Sequence, residues 1–172
     1  MYMLGYTADG KLTQLNEAVK NNVKIYLSQY RVLTDAINLK DAYIINVGVR
    51  FAITVKRGFN KNKVLFEAIQ QVKKHFETKK WQINQPIVLS DIAYVIGLVE
   101  GVVTVVPPQD NNPNKNIVVI ENKHKVAEGY SGNIYDTDAA TRDGIVYPSL
   151  DPSIFEVKYP NVDIEGRVVG DR

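Results

Sequence analysis

The 172-residue sequence predicts an α+β domain: a small, mostly antiparallel sheet with helices on one face, a long hairpin and an extended C-terminal arm. Three observations carry this reading. Residues 43–56 alternate between apolar and mixed positions with a period of two, as a strand with one side on a core does. Stretches on either side of that strand repeat their apolar residues at helical spacing. From residue 145 onward apolar side chains return without any helical period, punctuated by Pro148, Pro152 and Pro160. The expected division is an α+β body over residues 1–122 and a loop with the arm over residues 123–172.

Residues 1–12 contain Gly5 and an Asp9-Gly10 turn and are read as a lead-in. Thr13 is the expected cap of a first helix. Leu15, Ala18, Val19, Val23, Tyr26, Leu27 and Tyr30 give that helix one apolar stripe, with Asn16, Glu17, Lys20, Asn21 and Lys24 on the wet face and an end near Arg31. Thr34, Asp35, Asn38 and Asp41 supply turn and cap material for a connection over residues 32–42. The strand then places Tyr43, Ile45, Val47, Val49, Phe51, Ile53 and Val55 on one face. At ~3.3 Å per residue it is roughly 45 Å long, so a bend or bulge is expected near Gly48.

Gly58 and Asn60 break the strand, and a second helix follows with Val64, Leu65, Ala68, Ile69, Val72 and Phe76 inward. Residues 81–88 read as extended, with Pro86 favouring an edge position. Ser90 is the expected cap of a short third helix carrying Ile92, Ala93, Val95, Ile96 and Val99, which Gly101 ends in a left-handed conformation. Two β-branched runs, residues 102–106 and 117–121, flank a polar tip with Pro107, Pro108 and Pro113 and read as the hairpin. Residues 122–144 are polar, Gly- and Asp-rich and aperiodic, and read as a loop.

Composition bounds the function. With 45% hydrophobic residues the chain can bury a sizeable core, and a net charge of +2 supplies no global field for nucleic acid or a membrane. The absence of cysteine excludes disulfides, thiol catalysis and thiolate-bound zinc. No apolar run approaches the ~20 residues that span a bilayer, and the N-terminus lacks a signal-peptide pattern, so a soluble protein of cytoplasmic origin is expected. The ten tyrosines suit either interfaces or the core edge.

Candidate chemistry is sparse. His75 is read as a boundary residue beside Phe76, and His124 as a loop residue between Lys123 and Lys125; neither has a metal-ligand spacing. Asp136, Asp138 and Asp143 cluster without the spacing of a calcium loop. Asp35 and Asp41 are read as caps, and neither a phosphate-binding glycine loop nor a nucleophile elbow occurs. No catalytic activity, cofactor, metal or small-molecule substrate is therefore expected. The stretch 56–80 carries Lys56, Arg57, Lys61, Lys63, Lys73, Lys74, Lys79 and Lys80 against Glu67 and Glu77. It supports an alternative reading, a nucleic-acid-binding module using the basic helix. A solvated face or an acidic neighbour explains the same charges.

The arm carries the strongest functional signal. Burial of its apolar side chains alone does not offset the entropy of ordering an aperiodic segment, so its backbone must also pair, on its own body or on a partner. Tyr147, Leu150, Ile154, Phe155 and Tyr159 are the expected subunit-interface residues.

Three segments resemble one family. Tyr26-Leu27-Ser28-Gln29-Tyr30-Arg31-Val32-Leu33-Thr34-Asp35-Ala36-Ile37-Asn38 is one. Trp81-Gln82-Ile83-Asn84-Gln85-Pro86-Ile87, followed by Val99-Glu100-Gly101-Val102, is the second. The third is Tyr147-Pro148-Ser149-Leu150-Asp151-Pro152-Ser153-Ile154-Phe155-Glu156-Val157-Lys158-Tyr159-Pro160. In order, from about residue 15 to the end, they are similar to the C-terminal part of the baseplate wedge protein of T-even-type contractile-tailed phages, within the wider baseplate J-like group. The resemblance implies a virion structural subunit, assembled in the host cytoplasm, that pairs with itself into a ring around the tail hub and contacts other baseplate wedge proteins. It implies a compact α+β unit engaged in self-association and no catalytic residues. Family proteins are longer than this chain, so the resemblance implies a C-terminal fragment or a shortened relative.

Overall fold

The long alternating strand is the axis of the fold. The protein, described here by a computed structural model, is placed over residues 1–30, 36–108 and 115–170. The chain opens with short strands β1 (Tyr2–Met3), β2 (Gly5–Tyr6) and β3 (Leu12–Thr13), helix α1 (Glu17–Ser28) and strand β4 (Lys40–Asp41). β1 pairs parallel with β4, and β2 antiparallel with β3. The axis itself is β5 (Tyr43–Val55), followed by α2 (Lys61–His75), β6 (Ile87–Val88), α3 (Leu89–Gly97), β7 (Val102–Val106) and β8 (Val118–Asn122). The remaining elements are β9 (Thr141–Arg142), β10 (Ile145–Val146), β11 (Ser153–Glu156), α4 (Pro160–Asp163) and β12 (Ile164–Val168). The class is the expected one: α+β, with mostly antiparallel pairing and helices on one face of a small sheet.

That face is set by the alternation. Val47, Val49, Phe51 and Ile53 are buried with Val64, Ala68 and Val72 of α2 and Ile92 and Ile96 of α3. Asn60 caps α2, accepting from the backbone N–H groups of Asn62 and Lys63 at 3.0 and 3.2 Å. α3 begins at Leu89 with no side-chain cap, so Ser90 lies inside the helix, and Gly101 takes its left-handed conformation at φ +93°. Asn16 caps α1 in place of Thr13. None of α1's residues is buried, and Val19, Tyr26 and Tyr30 are exposed. The expected turn residues Thr34 and Asp35 lie outside the described residues. Within residues 81–88 only β6 pairs as a strand; Trp81 has extended backbone and stacks on Phe76 with ring centroids 5.2 Å apart.

The hairpin takes another form. Among the described residues β7 and β8 pair with β5 and not with each other. Both run antiparallel to β5, end to end, with Val106 opposite Ala52 and Val118 opposite the adjacent Phe51. Residues 107–117 therefore leave one strand and return to its next register position. β-branched composition marks each half as strand, but local sequence does not say which strand it pairs with. Residues 109–114 of the expected tip lie outside the described residues.

The arm is extended, but it is part of the body. β11 pairs parallel with the start of β5 and β12 parallel with its middle, while β10 lies antiparallel between β6 and β9. A boundary at residue 122 thus cuts through the sheet. The backbone pairing that the arm requires is found within the chain.

Candidate interaction surface

Two of the five expected interface residues are unavailable. Ile154 and Phe155 are 4% and 2% exposed, because β11 is covered on both faces. Tyr159 is half-buried, edge-on to Tyr130 at 5.4 Å and with the Lys11 ammonium 4.2 Å above its ring. Tyr147 and Leu150 remain outside: Tyr147 is 46% exposed and Leu150 fully so.

A buried polar network fastens the arm, and sequence reasoning did not anticipate it. The Glu156 carboxylate accepts the backbone N–H of Leu12 at 2.6 Å and the Asn46 amide at 2.8 Å. The Asn46 side-chain oxygen accepts the Ser131 N–H at 2.8 Å. The Ser131 hydroxyl and the Asn133 amide both donate to the Ile44 carbonyl, at 2.7 and 2.8 Å. Four distant parts of the chain thus meet on the face of β5 opposite the helices. Burial pushes the Glu156 carboxyl upward, and the Leu12 and Asn46 donors pull it partly back. Beside it, buried Asp163 accepts from the Tyr130 hydroxyl and from the Tyr159 N–H at 2.8 Å. Burial, then the bond to Asp163, holds the Tyr130 phenol well above its usual range. The legible signal was Asn46 between Ile45 and Val47 and Glu156 between Phe155 and Val157.

The turn carrying Tyr147 and Leu150 is tied at both ends. The Tyr147 N–H donates to the Ala140 carbonyl at 3.1 Å, and the Tyr135 hydroxyl donates to the Tyr147 carbonyl at 2.6 Å. The Ser149 hydroxyl bonds the Asp151 carbonyl at 2.6 Å, and the Tyr43 N–H bonds the Pro152 carbonyl at 2.9 Å. Leu150 thus projects from a turn with little backbone freedom. Beside it lies an open groove of about 590 Å³ lined by Tyr135, Ala140, Arg142, Asp143 and Tyr147.

The other candidates do not converge on chemistry. Asp136 accepts the Ala139 N–H at 2.9 Å as a turn former, and Asp143 sits in a turn at φ +53°. Asp136 and Asp138 share a shallow groove of about 890 Å³ with His124 and Glu121. Among the described residues, no three His, Asp or Glu side chains are placed to hold a metal. His75 packs edge-on against Phe76 and Trp81, and burial lowers its pKa. Asp41 pairs with Lys20 at 2.6 Å, while Asp35 lies outside the described residues. In the basic stretch Lys63 pairs with Glu67 at 3.9 Å and Lys80 with Glu77 at 3.0 Å, while Lys73 donates to Asn161. No helix among the described residues is long and apolar enough to cross a membrane. No family model matches the chain, and no curated protein matches it either.

Proposed function

We propose that this chain is a non-catalytic structural subunit of a phage tail baseplate, corresponding to the C-terminal part of a wedge protein and held by copies of itself and by other wedge subunits in the virion. The observation that carries the reading is the Tyr147–Leu150 turn: both side chains are exposed on a backbone tied at both ends, so a neighbour covering them gains apolar burial at little cost in chain ordering. The ordered sequence resemblance supports the same role. Nucleic-acid binding by the basic helix is less well supported, because Lys63 and Lys80 pair with Glu67 and Glu77, Lys73 bonds Asn161, and Phe76 and Trp81 are buried against each other, which leaves Phe59 and Phe66 as the exposed rings of the stretch.

Light scattering across a concentration series, for the chain alone and mixed with other baseplate wedge proteins, tests this. A mass above that of the monomer or a stable mixed complex is expected. Tyr147→Ser with Leu150→Ser should reduce that association while leaving the circular dichroism spectrum unchanged. A chain that stays monomeric and binds no wedge protein refutes the proposal.

A further inference from the structure

The sheet around β5 has four outer boundaries, and three are closed. At β11, Asn84 bonds Ser153 from both sides, its N–H to the Ser153 carbonyl at 2.7 Å and its side-chain oxygen to the Ser153 N–H at 3.1 Å. Outside β8, the Thr137 hydroxyl takes the Ile120 carbonyl at 2.8 Å and the Tyr135 N–H takes the Asn122 side-chain oxygen at 3.0 Å. β7 is bulged opposite Thr54 and Val55 and stops at Pro107, and both features blunt an edge. β12 differs. It keeps regular parallel register with β5 over all its residues, and the pattern continues as the Val169 N–H bonds the Ile53 carbonyl at 2.8 Å. Alternate residues of a strand turn their backbone groups to opposite edges. Glu165 and Arg167 therefore face β5, and the N–H and C=O of Gly166 and Val168 point outward, without a partner among the described residues.

We propose that β12 pairs antiparallel with β12 of a second copy, across a two-fold axis at Gly166. The strand Ile164-Glu165-Gly166-Arg167-Val168 is self-complementary in this arrangement. Gly166 meets Gly166, Ile164 meets Val168, and Glu165 lies directly opposite Arg167 of the other copy, twice by symmetry. Glycine suits the axis, because the space its Cβ would take is filled by Phe51 at 2.6 Å and Leu65 at 2.9 Å within the same copy. The outward backbone groups of Gly166 are those that a narrow antiparallel pair requires. This surface deepens the proposed self-association and rests on that reading. A single strand pair buries less than the ~800 Å² per partner of a standard interface, so the dimer is expected to dissociate on dilution. An isologous contact closes at two copies, so any larger assembly must use another surface, such as the Leu150 turn.

Charge reversal across the axis tests the pairing. Sedimentation of the wild type should show monomer and dimer exchanging with concentration. Glu165→Arg alone and Arg167→Glu alone set like charges opposite one another, and each should weaken association at least tenfold. An equimolar mixture of the two variants restores opposite charges and should recover the dimer, as should the double reversal in one chain. Circular dichroism of each variant checks its fold, and the double reversal still decides the matter if one single variant fails to fold. A wild-type dimer that both variants leave intact, or a mixture that stays monomeric, overturns the pairing and leaves self-association standing. A wild type that is monomeric throughout also overturns it, and the baseplate reading then depends on binding to other wedge proteins.

Discussion

Excising residues 107–117 and joining Val106 directly to Val118 should leave the fold intact. The two valines already stand opposite Ala52 and Phe51, neighbours on β5, so the joined chain continues one uninterrupted strand. Faces also agree: Val118 keeps its fully buried place on the helical side, one position on from Val106. Closing an eleven-residue loop costs about 2 kcal/mol of entropy, which the excision returns. Against this stands Pro108, buried beside Arg50, Phe51 and Gly166, whose lost packing is worth about 1–2 kcal/mol. The net change should lie within about 1 kcal/mol of zero, or roughly 2–4 °C in Tm. Urea and thermal denaturation followed by circular dichroism measure it. A loss above about 3 kcal/mol, or a transition that is no longer cooperative, would refute the idea that β7 and β8 are one interrupted strand.

Two further outcomes follow from the buried arm. Phe155→Ala should destabilise the protein by about 3–5 kcal/mol, through the cavity left beneath Tyr135, and urea denaturation losing less than about 1 kcal/mol would show that β11 is not core. Glu156 has a folded-state pKa above its ordinary 4.5, so the folded protein holds that proton more tightly than the unfolded chain. The stability it adds is full below the unfolded value and is lost as pH rises through the folded one. Glu156→Gln should therefore flatten the fall in stability as pH rises above 4.5, and parallel profiles for the two proteins would contradict it.

The sequence was most informative where a period was long. The alternation of residues 43–55 identified the axis of the sheet, its apolar face and the side on which α2 and α3 pack. Helical spacing found all three longer helices, yet it could not tell that none of α1's residues is buried among the described residues, since periodicity reports a face and not what covers it. The hairpin failed for a related reason. Two β-branched runs beside a polar tip look alike whether they pair with each other or lie in line along a third strand. For the arm, conformational entropy correctly required backbone pairing but could not choose its partner. Ile154 and Phe155 were thus assigned to an interface that the core of the same chain occupies, while Tyr147 and Leu150 stayed at the surface. The Glu156–Asn46–Ser131 network joins residues too far apart in sequence for any local pattern to reveal.

The position of β5 also governs when the fold can form. Asn46 and Glu156, bonded in the finished protein, are separated by 110 residues. One whole flank of β5 is supplied by residues 153–168, so a nascent chain must carry its most apolar strand with an open edge until nearly all of these residues have been synthesised. Long-range parallel pairing of this kind is slow to close and leaves the intermediate prone to association. The early chain is in this sense a template awaiting its complement. A ribosome stalled short of β11 would display a strand able to recruit the corresponding C-terminal segment from another molecule, and a compact subunit would be replaced by an exchanged one.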